Sequence, residues 1–421
     1  MDTDPDATIR VDDLPSTCRA LRIAVVTETY PPEVNGVSIT TARLVEGLLA
    51  RGHRIQLIRP RQREGDASDD TPLLHEVLLR GLPIPRYPHL RMGMPAGREL
   101  IGRWSVQRPD LVHIVTEGPL GWSALRAARR LRLPVCSDFR TNFHAYSRHY
   151  GVGWLHRPIV SYLRRFHNRT LCTMVPTEPL ARELAGHGFR RLQVVARGVD
   201  TRRFDPARRS DALRAAWGCT GGTRVVLHVG RLAPEKNLAT LADAYEAMRT
   251  AHADLRLLLV GDGPSARELR ARCPEAIFAG MRHGDDLAAH YASADAFVFP
   301  SLTETYGNVV PEAMASGLPV LAYDCAAASR LIVHGHNGLL APAGDARAFR
   351  TLALRLAGEP GAGRALGAQA RATAGTLDWD RIVAQVETTF ESAIRTHGLE
   401  SAVRAATAGP GKTHADGARA S

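Results

Sequence analysis

Two periods of apolar spacing alternate along most of the chain. Short runs of aliphatic and β-branched residues recur, each followed by a loop and then by apolar residues three and four apart. The first run covers residues 21–27 and leads into the loop TETYPPEVNGVS. A helical pattern follows, with Leu44, Val45, Leu48 and Leu49 on one face and Gly52 as its stop, and then the strand HRIQLIRP. That is a β–loop–α–β unit. The same order returns at residues 224–230 (RVVLHVG), with the loop RLAPEKN, a helix from Leu238 and the strand LRLLLVG. DLVHIV with a helix over 122–131, LPVCSDF, AIFAG, AFVFP and LPVLAYD extend the pattern. Strands alternating with helices predict parallel sheets covered on both faces. Two such series in tandem predict an α/β protein of two Rossmann-like domains, split near residues 205–222. Residues 63–97, rich in Pro and Gly, read as a long irregular loop. The acidic residues 1–19 and the Ala/Gly-rich residues 401–421 read as disordered tails.

Composition narrows the class. At 421 residues the chain suits two cores better than one. Its apolar share of 44% and charged share of 23% are those of a globular protein. No apolar run approaches the roughly 20 residues that span a bilayer, and the opening MDTDPDATIR is no signal peptide. A cytoplasmic location is expected. The six cysteines are scattered without a C-x-x-C pair, which suits reduced thiols and supports neither a zinc site nor a disulfide framework. The formal charge of +11 comes almost wholly from arginine, since Lys236 and Lys412 are the two lysines. Charge alone leaves nucleic acid, an anionic membrane and phosphorylated substrates open.

Chemistry should gather beyond the carboxyl ends of parallel strands. In HVGRLAPEKN, Arg231 and Lys236 fall between a strand and a helix start, where free N–H groups and partial positive charge favour a diphosphate. A solvated basic loop is the plain alternative. In PSLTETYGNVVPEAMASGLP, Glu304 and Glu312 bracket Tyr306, Gly307 and Asn308. Residues 308–316 read as a helix, so both glutamates can reach a ligand over its start. Asp378-Trp379-Asp380 has the spacing of a metal-binding D-x-D, but its position suits the cap of the last helix better.

Together with PPEVNGVS, VPTEPLARELAGHGF, RGVDTRRF, VGDGP, SADAFVFPS and HNGLLAPAGD, these loops resemble the retaining glycosyltransferases of family four, with GT-B architecture. The resemblance covers nearly the whole folded chain. It implies two Rossmann-like domains facing a central cleft, with residues 20–205 binding the acceptor and 206–385 the nucleotide-sugar donor. A helix over 386–400 would pack back on the first domain. It also implies that Gly36, Arg231 and Lys236 hold the donor diphosphate. Glu304 would hydrogen-bond the transferred sugar, helped by backbone N–H groups of Tyr306, Gly307 and Asn308. Glu312 would take the ribose hydroxyls, Met281 and Arg282 would flank the base, and Val309 would pack near the nucleoside. No metal and no cofactor are then required. Many relatives carry histidine where this chain has Arg140, so Arg140, or His144 one turn on, is expected at the sugar. Relatives often have Gly-Gly and Glu after the LPVLAYD strand, where this chain has Ala326, Ala327, Ala328 and Arg330.

The similarity extends to GDP-mannose-dependent mannosyltransferases and to sulfoquinovosyl- and glucuronosyl-diacylglycerol synthases with UDP donors. Mannose is the favoured sugar, with a lipid or glycan acceptor. Rival readings are weaker. VGDGPSA matches the dinucleotide fingerprint, but the next strand, AIFAG, lacks the acidic residue for a ribose. A nucleic-acid protein would need interleaved aromatics, and only 6% of residues are aromatic. In HRPIVSYLRRFHN, Ile159, Tyr162, Leu163 and Phe166 share one face, opposite Arg157, Arg164 and Arg165. The basic face is either solvated or drawn to anionic lipid at the inner face of the cytoplasmic membrane.

Overall fold

Ile23, Ala24, Val25 and Val26 are all buried, as in a strand covered on both sides. In the computed structural model, which describes residues 19–407 apart from 34, 64, 85–86, 141–155 and 359, they belong to β1 (Arg22–Val26). β2 (Arg54–Pro60), β3 (Leu74–Leu79), β4 (Gly81–Ile84) and β5 (Tyr87–Gly93) follow. β6 (Leu111–Ile114), β7 (Val135–Asp138), β8 (Cys172–Val175) and β9 (Leu192–Val194) complete the first half. Seven of these form a parallel sheet in the order β3-β2-β1-β6-β7-β8-β9.

The second half contains β10 (Arg224–Val229), β11 (Leu255–Val260), β12 (Ile277–Gly280), β13 (Ala296–Phe299), β14 (Val320–Tyr323) and β15 (Leu339–Ala341). They form a parallel sheet ordered β12-β11-β10-β13-β14-β15. Along β10, Val225, Leu227 and Val229 enter one apolar core and Val226 enters the core on the opposite face. In both sheets the strand order reverses beside the first strand, at β1/β6 and β10/β13. Loops diverge there and leave a crevice at the strand ends.

Three expectations need correction. Residues 63–97 are not one irregular loop: they contain β3 and an antiparallel hairpin, β4–β5. The strand signal is masked by prolines and by charge that is in fact internal. Arg59 is bonded to Asp66 at 2.6 Å and to Glu76 at 3.0 Å, and all three side chains are buried. The closing helix is longer than 386–400 and runs Trp379–Thr407, into the expected tail. Its Ile382, Val383, Val386 and Phe390 join the core beside β1, so residues 379–385 pack with the first sheet rather than the second. A Cβ at Gly47 would meet Val383 at 2.4 Å, which is why the helix can approach so closely. Finally, on the helix His156–His167, Leu163 and Phe166 are buried but Tyr162 is 45% exposed.

No described helix is long and apolar enough to cross a membrane. The five described cysteines are free.

Candidate active site

The loops after β10 and β13 and the start of the helix Gly36–Ala50 meet around a cleft of about 1920 Å³, counting its open mouth. Asn35 caps that helix: its Oδ1 accepts from Val37 N at 3.0 Å and Ser38 N at 2.9 Å. The helix start therefore faces the cleft with no side chain at Gly36. A Cβ there would lie 3.5 Å from Asn308 Nδ2 on the opposite wall.

After β10, a single turn (Pro234–Lys236) carries Lys236 over the Phe299 ring, 5.9 Å from its centre. Lys236 donates to Glu304 Oε1, which also accepts from Ser301 Oγ at 2.8 Å. Arg231 is paired with Glu235 in the same way. Both cations are thus held in place by carboxylates. After β13, Gly307 takes φ +85°, a conformation that suits glycine, and turns the chain into the helix Val309–Ala315. Tyr306 is buried, and its hydroxyl donates to Arg197 O at 3.2 Å.

Glu312 accepts from Tyr291 Oη at 3.0 Å. Burial pushes its carboxyl up to about 7, with the Tyr291 bond opposing the rise. Burial also pushes His228, beneath the β10 loop, down to about 4; its ring is stacked on Phe299. Burial works against the charge of Asp138, but Arg140 and His113 outweigh it and hold the carboxyl far below the usual range.

Gly36, Arg140, Arg231, Lys236, Met281, Arg282, Glu304, Tyr306, Gly307, Asn308, Val309 and Glu312 all line this one cleft. His144 lies outside the described residues. Met281 is 55% exposed at the rim, while Arg282 is turned back, donating to Ala279 O at 2.9 Å. Sequence reasoning missed Arg197, Glu235, Asp138 and Asn35. Arg197 stood within RGVDTRRF, but nothing in that string says it reaches Asn308 Oδ1 at 3.5 Å across the cleft.

Two motifs have structural explanations. The glycines of VGDGPSA permit contact between loops: a Cβ on Gly261 (φ +133°) would sit 2.0 Å from Gly230 O. In D-x-D, Asp378 Oδ1 accepts from Asp380 N at 3.0 Å, a helix cap. Among the described residues no cluster of His, Cys, Asp and Glu could hold a metal.

Residues 34–203 match the family model for Glycosyltransferase Family 4 and residues 223–359 that for Glycosyl transferases group 1. A GDP-mannose-dependent alpha-mannosyltransferase of Corynebacterium glutamicum is 37% identical, over 76% of this chain and 77% of its own. The sulfoquinovosyl transferase SQD2 of Arabidopsis thaliana is 30% identical over 71% of this chain and 60% of its own. Among solved structures, sucrose-phosphate synthase from Thermosynechococcus elongatus superposes with a TM-score of 0.70 at 19% identity, covering 89% of this chain and all (100%) of that one. Anabaena HepE, solved with UDP and glucose, gives 0.67 at 19% identity, covering 88% of this chain and 100% of its own. Two parallel α/β sheets with a cleft between them are the GT-B architecture, and the family matches make the chain a glycosyltransferase. The chain belongs to glycosyltransferase family four.

Proposed function

We propose that the cleft transfers mannose from GDP-mannose to a lipid or glycan acceptor with retention of configuration. The observation that carries this reading is the meeting of Arg231, Lys236 and Glu304 with the helix start at Gly36, in a chain 37% identical to a GDP-mannose-dependent enzyme. The second sheet's loops bind the donor, and residues 20–205 bind the acceptor. Arg231, Lys236 and the N–H groups at Gly36 hold the diphosphate. Glu304 receives the sugar hydroxyls, with backbone N–H groups of Tyr306, Gly307 and Asn308 beside it. Glu312 accepts from the ribose, and Met281, Arg282 and Val309 border the base.

In the reaction the bond from the anomeric carbon to the β-phosphate oxygen breaks, and its electron pair stays on that oxygen. The two cations and the helix start stabilise the charge as it grows. The acceptor oxygen bonds to the same face of the anomeric carbon, and its proton passes to the departing phosphate oxygen. GDP and an α-mannoside result. The chain's cations meet the charge of the leaving group, so the mechanism calls for no divalent ion.

A donor screen tests the sugar: GDP-mannose, UDP-glucose, UDP-glucuronate and UDP-sulfoquinovose, read as nucleotide released. Preference for a UDP donor would replace mannose and point to a diacylglycerol glycosyltransferase. The exposed Arg157, Arg164 and Arg165 favour reversible contact with anionic lipid, each worth roughly 1 kcal/mol. Salt-sensitive sedimentation with anionic but not neutral vesicles is the expected result, and equal recovery in all supernatants would dismiss the contact.

A further inference from the structure

Arg140 and Arg197 line both the donor cleft and a second, much smaller cavity beside it. Thr40, Leu44, Phe139, Met174 and Trp379 help to wall that cavity. The Arg140 side chain is 9% exposed. Asp138 accepts from its Nε at 2.9 Å and from Nη2, while Nη1 is buried with no hydrogen-bond partner among the described residues. Arg197 has no carboxylate within ion-pair distance among the described residues. It touches Asn308 Oδ1 at 3.5 Å and covers the Tyr306 ring, 5.4 Å from its centre. Burial first, and then repulsion from Arg140, push its guanidinium down to about 9. Of the two guanidinium groups, Arg140 alone has a carboxylate partner among the described residues.

That arrangement opposes folding. A buried donor with no partner, and a partly buried cation with no paired carboxylate, each cost stability. The diphosphate does not need them, because Arg231 and Lys236 already face it from the β10 loop. Their N–H groups are matched by an anion arriving from outside the chain, and a guanidinium fork suits a planar or tetrahedral oxyanion.

We propose that Arg140 and Arg197 form a second anion subsite, which takes a carboxylate, sulfonate or phosphate carried by the acceptor or, if the donor screen replaces mannose, by the transferred sugar. The proposal rests on the reading of the cleft as a glycosyl-transfer site and adds a substrate class to it: one substrate is charged beyond the diphosphate. Asp138 is the positioning residue, fixing Arg140 so that Nη1 points to the incoming group.

Two arms separate the sources. In the acceptor arm, the protein saturated with GDP is titrated with methyl β-D-glucuronide, methyl β-D-glucoside and glycerol 1-phosphate, and binding is followed by ligand-observed NMR. In the donor arm, affinities for UDP-glucuronate and UDP-glucose are compared by calorimetry. The wild type is expected to prefer the charged member of one arm by roughly tenfold or more, the worth of one hydrogen bond to a charged group, and that arm names the source. Arg197→Gln should lose the preference while keeping GDP affinity and thermal stability, and Arg197→Lys should keep part of it. No preference in either arm, or a preference intact in Arg197→Gln, overturns the subsite while leaving the donor site standing. Failure of the wild type to bind GDP or UDP would overturn both.

Discussion

Tyr306 donates its hydroxyl to the backbone carbonyl of Arg197 at 3.2 Å, tying the loop that carries Glu304 to the chain leaving the first sheet. Thr305 adds a bond to Arg140 O at 3.4 Å, so the loop that carries Glu304 is anchored on the first half of the chain at two successive residues. Tyr306→Phe keeps the packing and removes one bond. It should cost about 0.5–1.5 kcal/mol, read as a shift in urea unfolding. An unshifted transition would mean that this tie is not made in solution.

Arg231 is the second cation of the proposed leaving-group site. Arg231→Ala should lower turnover about 10²-fold, the usual cost of one transition-state donor. Wild-type activity should persist in excess EDTA, since protein cations meet the departing charge. Turnover that depends strictly on manganese or magnesium would assign that work elsewhere.

Glu312 brings a pH dependence with a definite sign. Its carboxyl is raised from 4.5 to about 7 by burial, so it costs stability as pH rises across that window and nothing below it. For nucleotide binding the ionised form is the better acceptor of ribose hydroxyls. Affinity for GDP should therefore improve from pH 6 to pH 8, beyond the phosphate's own titration. Glu312→Gln should bind more weakly at pH 8 and lose that excess dependence. A variant that follows the wild-type profile would remove Glu312 from the ribose.

Ala326 sits at φ +50°, in the left-handed region, where the chain departs from the Gly-Gly of many relatives. Its neighbour Ala327 donates its N–H to Tyr306 O at 2.8 Å, so the strained turn supports the loop that carries Glu304. A side chain costs roughly 1–2 kcal/mol in this conformation, partly offset by the greater freedom of glycine when unfolded. Ala326→Gly should stabilise the protein by up to about 1 kcal/mol. A destabilised variant would show that the Ala326 methyl makes compensating contacts.

The strand–helix order and the loops at the β10/β13 switch were legible because period and punctuation are local properties. Glu304, in the loop after β13, and Glu312, in the helix that follows, were read onto one cleft for the same reason, and both line it. What escaped was set by tertiary contact. β3 reads as loop because Glu76 is polar, and the Arg59 guanidinium and Asp69 N–H make its burial tolerable. The closing helix starts at Trp379 because Asp378 caps it, and its assignment to the first sheet depends on the absence of a side chain at Gly47. Arg197 reads as one arginine among many until the fold sets it against Tyr306 and Asn308.

Lys236 tests the central claim most directly, because it joins the proposed leaving-group site to Glu304. GDP-mannose labelled with carbon-13 at the anomeric carbon would be incubated with wild type and with Lys236→Ala, and the first product followed by NMR alongside GDP release. The account predicts that an α-mannosyl product and GDP appear in equal amounts with wild type, and about 10²-fold more slowly with folded Lys236→Ala. A β product would contradict retention, and equal rates in the two proteins would contradict the assignment of this cleft to the leaving diphosphate.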